Sequence, residues 1–377
     1  MKNLKKLCFI MAMLVMASLQ AEKSAIVIYI DSFVLHAGFA GDDAPKIVMP
    51  NAVSTKDDEV YVDFGTLAKS DSVSYPIQDG KVVDVAQCEK VLDHVFSKLK
   101  ADPKEQAVLL AYPGDFTTES IDQVAKILFD KFEVPALHAV SNTILILYSN
   151  GKMDGLVVCM DDNGVFVNAV DYGSILATQK IPVTSQHIRD YLQKLLEKKG
   201  YQFAKNCSGM MEEIKNKYCY VALNFNAETK LAKNSSSLSK TYTLEDGQAI
   251  EVKEERFTAP EAFFQPKLLG IDAQGVHKVI QEVIGKCDSK FRKRLYRNIV
   301  IAGSESMYPG LRDRIEYEFY NANKKMKTKV SAPPERKYGT WIGGSIFASL
   351  SNFKSVPRKE YMDHGSFGDL QKKLEQK

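Results

Sequence analysis

Tryptophan, net charge and cysteine pairs are all scarce in this 377-residue chain. There is 1 tryptophan, and the formal charge is only +3. Lys2, Lys5 and Lys6 account for all of that charge. A balance so near zero argues against nucleic acid as the main partner, because such proteins carry a basic excess on one face. Six cysteines are present, but no CxxC pair occurs. Setting aside Cys8 in the apolar N-terminal segment leaves Cys88, Cys159, Cys207, Cys219 and Cys287, an odd number. Neither a zinc site nor a disulfide framework follows from that pattern. The five read as buried thiols or small core residues. After residue 21 no apolar run reaches membrane length. The 45% hydrophobic and 26% charged composition is that of a folded protein. A chain of this length fills two domains or one large bilobal unit.

The N-terminus is a separate object. MKNLKK is basic, LCFIMAMLVMASL is apolar, and Val15-Met16-Ala17 or Leu19-Gln20-Ala21 ends in a small residue. This is the layout of a secretory signal peptide over 1–21, which predicts a secretory or extracytoplasmic location. An uncleaved anchor and a start codon placed too far upstream are the alternatives. Two glycosylation sequons, at Asn206 and Asn234, matter only in a eukaryotic secretory pathway.

Past the N-terminus the chain alternates strands and helices. AIVIYIDSFVLHAGFAGD (25–42) reads as strand, turn, strand, with no glycine until Gly38. Turns that hold phosphate normally need glycine, because the backbone must approach an anion. Helical periodicity marks 86–100, 118–132, 140–149, 186–199 and 209–223, and AVLLAY (107–112) is a buried strand. GLVVCMDDNGVFVNAVDYG (155–173) repeats the opening pattern about 130 residues later, which predicts a duplicated two-lobed α/β protein. Residues 240–252 form a hairpin on Asp246-Gly247. NIVIAGSESMYPG (298–310) is a strand entering a small-residue turn. Residues 51–74 read as a polar, irregular excursion, 234–240 as a surface loop and the lysine-rich 321–334 as a solvated linker.

AGFAGDDAP (37–45), YPIQDG (75–80), EKKGYQF (197–203), KYCYVALNF (217–225), ERFTAPEAFFQP (255–266), MYPG (307–310) and APPERKYGTWIGGSIFASLSNF (332–353) closely resemble actin, in order and over the whole chain from about residue 24. The resemblance implies a bilobal α/β fold: two duplicated domains, each with a mixed sheet, around a central cleft for ATP or ADP with Mg or Ca. Helix 140–149 and the region near 332–340 are the implied hinge. The implied subdomains are 22–50, 75–149 and 339–377; a reduced 51–74; 150–183 with 272–338; and 184–271.

In the family both hairpins clamp the phosphates, and this chain departs from the pattern at both. Counted back from Ala37, the aspartate position is Tyr29, the two glycines are Asp31 and Phe33, and the basic residue is His36. Ser32 alone survives. A two-residue deletion would instead make Asp31 the family aspartate. In the second hairpin Met160, Asp161, Asp162 and Asn163 replace the metal-site aspartate and the Ser-Gly-Asp that follows it, and Gly164 remains. Added carboxylates repel ATP unless a divalent cation reverses the sign, so Asp161 and Asp162 are candidate metal ligands. The other reading is that DDNG is a polar turn. Asn142 stands at the catalytic glutamine position, one methylene short, and Val167 stands at the water-ordering histidine. On the adenine and ribose side Lys215, Gly303, Tyr308 and Lys337 match. Asn216 replaces an acid, Ser304 replaces the second glycine with Glu305 beside it, and IPVTSQH (181–187) has lost an acid and a glycine.

Three functions are weighed. The first is an actin-like structural protein with a degenerate cleft, acting as scaffold, cap or mimic through contacts with itself or with actin-type binding proteins, without normal ATP turnover. The second is a divergent cytoplasmic cytoskeletal actin that still binds ATP and polymerises. The third, a sugar kinase, needs a catalytic carboxylate and a sugar pocket, for which no motif is found. The small 51–74 segment leaves no room for a docking loop. The apolar 264–275 stretch packs against a neighbour or into the core, and the C-terminal tail is highly charged.

Overall fold

The computed structural model describes residues 24–56, 59–62, 72–204, 207–244, 247–324, 327–351 and 353–375. The expected signal peptide, the Asn206 sequon, Asp246 and much of the 51–74 excursion lie outside the described residues.

The strands β1 (Ile26–Ile30), β2 (Val34–Phe39), β3 (Ile47–Pro50), β4 (Val108–Tyr112), β5 (Ala136–Ser141), β6 (Gly155–Asp161), β7 (Gly164–Asp171), β8 (Ser174–Ile181), β9 (Ile299–Ala302), β10 (Val330–Ser331) and β11 (Val356–Pro357) form two large sheets. The helices that position the site are α1 (Val85–Leu99), α2 (Thr118–Lys126), α3 (Asn142–Ser149), α4 (Ser185–Glu197), α5 (Ser208–Tyr218), α6 (Val276–Lys286) and α7 (Gly339–Ala348).

The first sheet runs β11-β5-β4-β1-β2-β3 and the second β8-β7-β6-β9-β10. In each, an antiparallel meander (β1-β2-β3 or β6-β7-β8) continues into parallel neighbours (β4 and β5, or β9 and β10). Strands β1–β5 of the first lobe therefore match β6–β10 of the second, as the sequence repeat predicts, and β11 is an extra edge strand of the first. β1 and β6 lie mid-sheet with pairing on both edges, which explains their unbroken apolar runs. Each lobe has its own core. In the first, Val91, Leu92, Val95 and Phe96 of α1 pack beneath Ile26, Ile28 and Ile30. In the second, α4, α5 and α6 cover β6 and β7.

Helices α3 and α7 lie between the sheets. Leu145 packs with Val27 and Leu109 of the first sheet and with Trp341 of α7, while Ile146 and Leu147 pack with Val157 and Val300 on the second sheet. A helix covered on all sides is apolar all round, as ILIL (144–147) is. A Cβ on Gly343 would overlap the Leu145 carbonyl oxygen, so only glycine permits this close crossing of α3 and α7. Trp341 donates its indole N–H to the Val27 carbonyl (3.1 Å). Its ring fills the space over Gly38, where a Cβ would lie 2.6 Å from Cζ2. The AGFAGD and GTWIGG stretches are thus packing partners.

Four elements differ from the sequence expectation. Helix 140–149 begins at Asn142, because 136–141 is β5. Helix 209–223 stops at Tyr218, because the amides of Tyr220 and Val221 are taken by the carbonyls of Arg256 (3.0 Å) and Pro309 (2.8 Å). Helix 118–132 ends in a π-helical turn over Ile127–Lys131. The 51–74 segment contains the paired strands Val53–Lys56, Glu59–Tyr61 and Ser72–Ser74. The five described cysteines are buried free thiols. In the 264–275 stretch Phe264 is buried, and Leu269 and Ile271 pack against the second-lobe core. No described helix is long and apolar enough to cross a membrane.

Candidate functional site

The turns β1–β2 and β6–β7 both open at the carboxyl ends of their central strands, where ligands of open α/β sheets bind. Between them lies a cleft of about 490 Å³, within the size range of small-molecule sites. Its first-lobe wall includes Tyr29, Phe33, His36, Met49 and Pro50. Its second-lobe wall includes Asp161, Asp162, Ser304 and Glu305, with Lys337 and Thr340 beside them.

The first turn closes on itself. Asp31 Oδ1 accepts from the backbone amides of Phe33 and Val34, both at 2.7 Å. Short-range capping of this kind is what aspartate does in turns. Tyr29 donates its hydroxyl to Asp31 Oδ2 (3.0 Å), and Asn51 Nδ2 donates to the Asp31 carbonyl (2.6 Å). The backbone donors that would face a phosphate are thus engaged by a carboxylate of the chain itself. Burial, then the nearby Asp161 charge, push Asp31 up to about 8. Ser32 is buried and its Oγ has no partner. His36 contacts the rings of Tyr29 and Tyr338, and burial followed by the Lys337 charge lowers it to about 4.

In the second turn Asp161 accepts from the Cys159 thiol (2.8 Å) and the Ser304 amide (3.2 Å). Burial raises both aspartates; Asp162 reaches about 6, with Glu305 and Asp161 adding to the effect. Among the described residues no group of three or more His, Cys, Asp or Glu is arranged to hold a metal. Gly164 sits where a Cβ would lie 2.8 Å from the Ile181 carbonyl oxygen, a packing reason for its retention.

Asn142 is buried beneath the cleft. Its Nδ2 reaches Cys159 Sγ (3.5 Å) and its Oδ1 accepts from Thr143 Oγ1 (3.3 Å). Asn168 and Thr178 continue this line, at 2.9 and 2.5 Å, to the edge strand β8 of the second sheet. Asn142 therefore joins a closed hydrogen-bond chain and does not line the cleft.

On the adenosine side Lys215 is almost fully buried. Its Nζ bonds Ser185 Oγ (2.8 Å), Glu305 and Glu212 (2.9 Å). Tyr308 donates to Glu305 Oε2 (2.9 Å). Burial works to lower the Lys215 pKa, but Glu305 and Glu212 outweigh it and hold the ammonium above its ordinary range. A small recess of about 30 Å³ lies where Lys215, Asn216, Ser304 and Tyr308 converge, and Asn216, Gly303, Ser304 and Met307 also line the larger cleft. Gly303, at φ +98°, is retained because its backbone crosses Met160 and Asp161. Lys337 is exposed at the rim.

Of the predicted residues, the structure brings Asp161, Asp162, Gly303, Ser304 and Lys337 to the cleft and Lys215 and Tyr308 behind it. The first-turn amides are capped and Glu305 holds the lysine, which does not fit a triphosphate there, whereas Asn216, Gly303, Ser304 and Lys337 of the adenosine side line the open cleft. Sequence reasoning missed Glu305, Ser185 and Glu212 as partners of Lys215, and Cys159 as a donor to Asp161. The one available signal was an acid in a turn that is otherwise small or apolar.

A family model described as Actin matches residues 20–373. An "Actin-like protein" of Neurospora crassa is 35% identical over 358 residues, which cover 89% of this chain and 94% of that protein.

Proposed function

The chain belongs to the actin family, and we propose that it is an actin-like structural or interaction protein that works through protein contacts and not by normal ATP turnover. The observation that carries this reading is the Asp31 carboxylate on the amides of Phe33 and Val34. A side-chain oxygen of the chain itself already occupies the amides that a phosphate would need, at no cost in translational entropy. The buried Lys215–Glu305 pair supports it from the adenosine side. The partners in this reading are proteins, either further copies of this chain or actin-type binding proteins. Secretion through residues 1–21 belongs to the same proposal, since compartments outside the cytoplasm hold little ATP. N-terminal sequencing from the native source tests it, and a start at Met1 removes it.

The second reading, a divergent actin that still binds ATP and polymerises, is favoured only by the 490 Å³ volume of the cleft. Titration of the purified protein with a fluorescent ATP analogue and magnesium, with sedimentation in parallel, separates the two. No binding below millimolar nucleotide is expected. Submicromolar binding together with sedimenting polymer would overturn the first reading.

A further inference from the structure

The near-zero total charge hides an uneven distribution. Residues 286–297 and 324–329 carry 10 Lys and Arg against 1 acid, a net +9 in a chain whose total is +3, so the remaining residues are net −6. The fold brings Lys329 of the second segment against the first. Its amide donates to the Tyr296 carbonyl (3.1 Å), and its carbonyl accepts from the Ile299 amide (3.2 Å). Within the helix Ser289–Tyr296 and its C-cap Arg297, the residues Lys290, Lys293 and Arg297 are three and four positions apart and share one side. Leu295, on the opposite side, is buried in the second-lobe core.

Little of this charge is cancelled internally. Arg294 is paired with Asp154 and Asp171. Lys286 and Arg292 are bonded to neutral oxygens, which leaves their charge in place. The single acid, Asp288, is turned to the helix start, where it accepts from the Lys290 amide (3.1 Å). Among the described residues Lys290, Lys293, Arg297, Lys324, Lys327 and Lys329 are exposed and have no salt-bridge partner. A second observation comes from a residue outside both segments. Burial, then the Lys329 charge, lower the pKa of Lys152 even though Asp154 is near. The positive potential is therefore felt where the segments meet. A solvated lysine run accounts for 324–329 alone, but not for a second cationic segment packed beside it, because like charges brought together repel. A row of cations without intervening acids fits a linear polyanion, and the Arg297 fork suits an oxyanion in two hydrogen bonds.

We propose that the face formed by Lys290, Lys293, Arg297, Lys327 and Lys329 binds a sulfated polysaccharide. The proposal rests on the reading that residues 1–21 direct secretion, because sulfated polysaccharides are polyanions of the cell exterior.

Fluorescence-anisotropy titration of the full-length protein at 0.15 M salt tests it, with labelled heparin oligosaccharide, a DNA duplex and phosphatidylserine vesicles as separate probes. Saturable heparin binding is expected, weakened tenfold or more when Lys290→Gln, Lys293→Gln and Arg297→Gln are combined. The slope of log K against log salt is expected to fall by about one for each cation removed. Lys327→Gln with Lys329→Gln is a second variant expected to weaken binding. Lys230→Gln, Lys233→Gln and Lys240→Gln, which remove the same charge from exposed sites elsewhere, are expected to leave it unchanged. Circular dichroism shows that the variants are folded. Absence of saturable heparin binding overturns the proposal. So does an equal loss in the Lys230, Lys233 and Lys240 variant, which marks attraction by net charge alone. Tighter binding of DNA or vesicles than of heparin, lost in the first variant, assigns the face to nucleic acid or a membrane and also overturns it. If N-terminal sequencing of the native protein finds a start at Met1, the secretion reading falls and this proposal with it. A cleaved N-terminus without heparin binding overturns this proposal alone.

Discussion

Lys215 and Glu305 form an ion pair in which the side chains are only 1% and 5% exposed. Removing one partner of such a pair leaves a buried charge without compensation and costs about 3–5 kcal/mol. Lys215→Met is expected to destabilise the protein by about that amount in urea unfolding. Lys215→Met combined with Glu305→Leu is expected to recover most of the loss, since two apolar side chains need no pairing. If the double variant is as unstable as the single one, the hydrogen bonds from Ser185 and Tyr308 matter more than the charge pair.

Asp31 predicts a stability that falls as the solution becomes more alkaline. Its folded-state pKa is about 8, against about 3.9 for an unfolded aspartate. The folded chain therefore binds the extra proton between those values, and stability drops as pH rises through them. Tyr29, Asp161 and Asp162 face Asp31, and the two aspartates are shifted in the same direction. His36 works the other way, losing stability as pH falls from about 6.5 to about 4. The clear window for Asp31 is therefore pH 6.5 to about 8. There the wild-type protein is expected to lose up to roughly 1.4 kcal/mol per pH unit. Asp31→Asn keeps the amide contacts and is expected to flatten the slope. A slope that survives the substitution assigns the titration to another group.

Loop reversal alone is not expected to restore nucleotide. Asp31→Gly with Phe33→Gly frees the first-turn amides, yet Glu305 still holds Lys215 on the adenosine side. No gain in ATP affinity is expected until Glu305→Gly is added. A gain of tenfold or more from the loop pair alone would place the whole loss in that turn.

The crossing of α3 and α7 is testable with two glycines. Gly343→Ala drives a methyl group into the Leu145 carbonyl and is expected to cost about 3 kcal/mol or more, or to prevent folding. Gly285→Ala, in α6 with no heavy atom within 4 Å of the added carbon, is expected to stabilise by about 0.5–1 kcal/mol. Thermal unfolding measures both.

The fold was largely legible in the sequence. The apolar runs at 25–30, 107–112 and 155–160, the repeat at about 130 residues, and the AGFAGD and GTWIGG stretches carry local and family information that survives without coordinates. Helix ends were less legible. Tyr218 ends α5 because distant carbonyls capture the amides that follow, and no local pattern records that.

The candidate site divides in the same way. The sequence by itself determined that glycine is absent from the first phosphate turn, that acids stand in the second, and that Asn142 replaces the longer glutamine side chain. Only the tertiary structure decided what those changes do. Asp31 folds back onto two amides two and three residues ahead, Asn142 turns down into a closed polar chain, and Glu305 reaches across ninety residues of sequence to Lys215. The physical reason is that a substitution specifies a side chain's charge and reach, whereas its partner is whichever group the packing of the two lobes brings within hydrogen-bond distance.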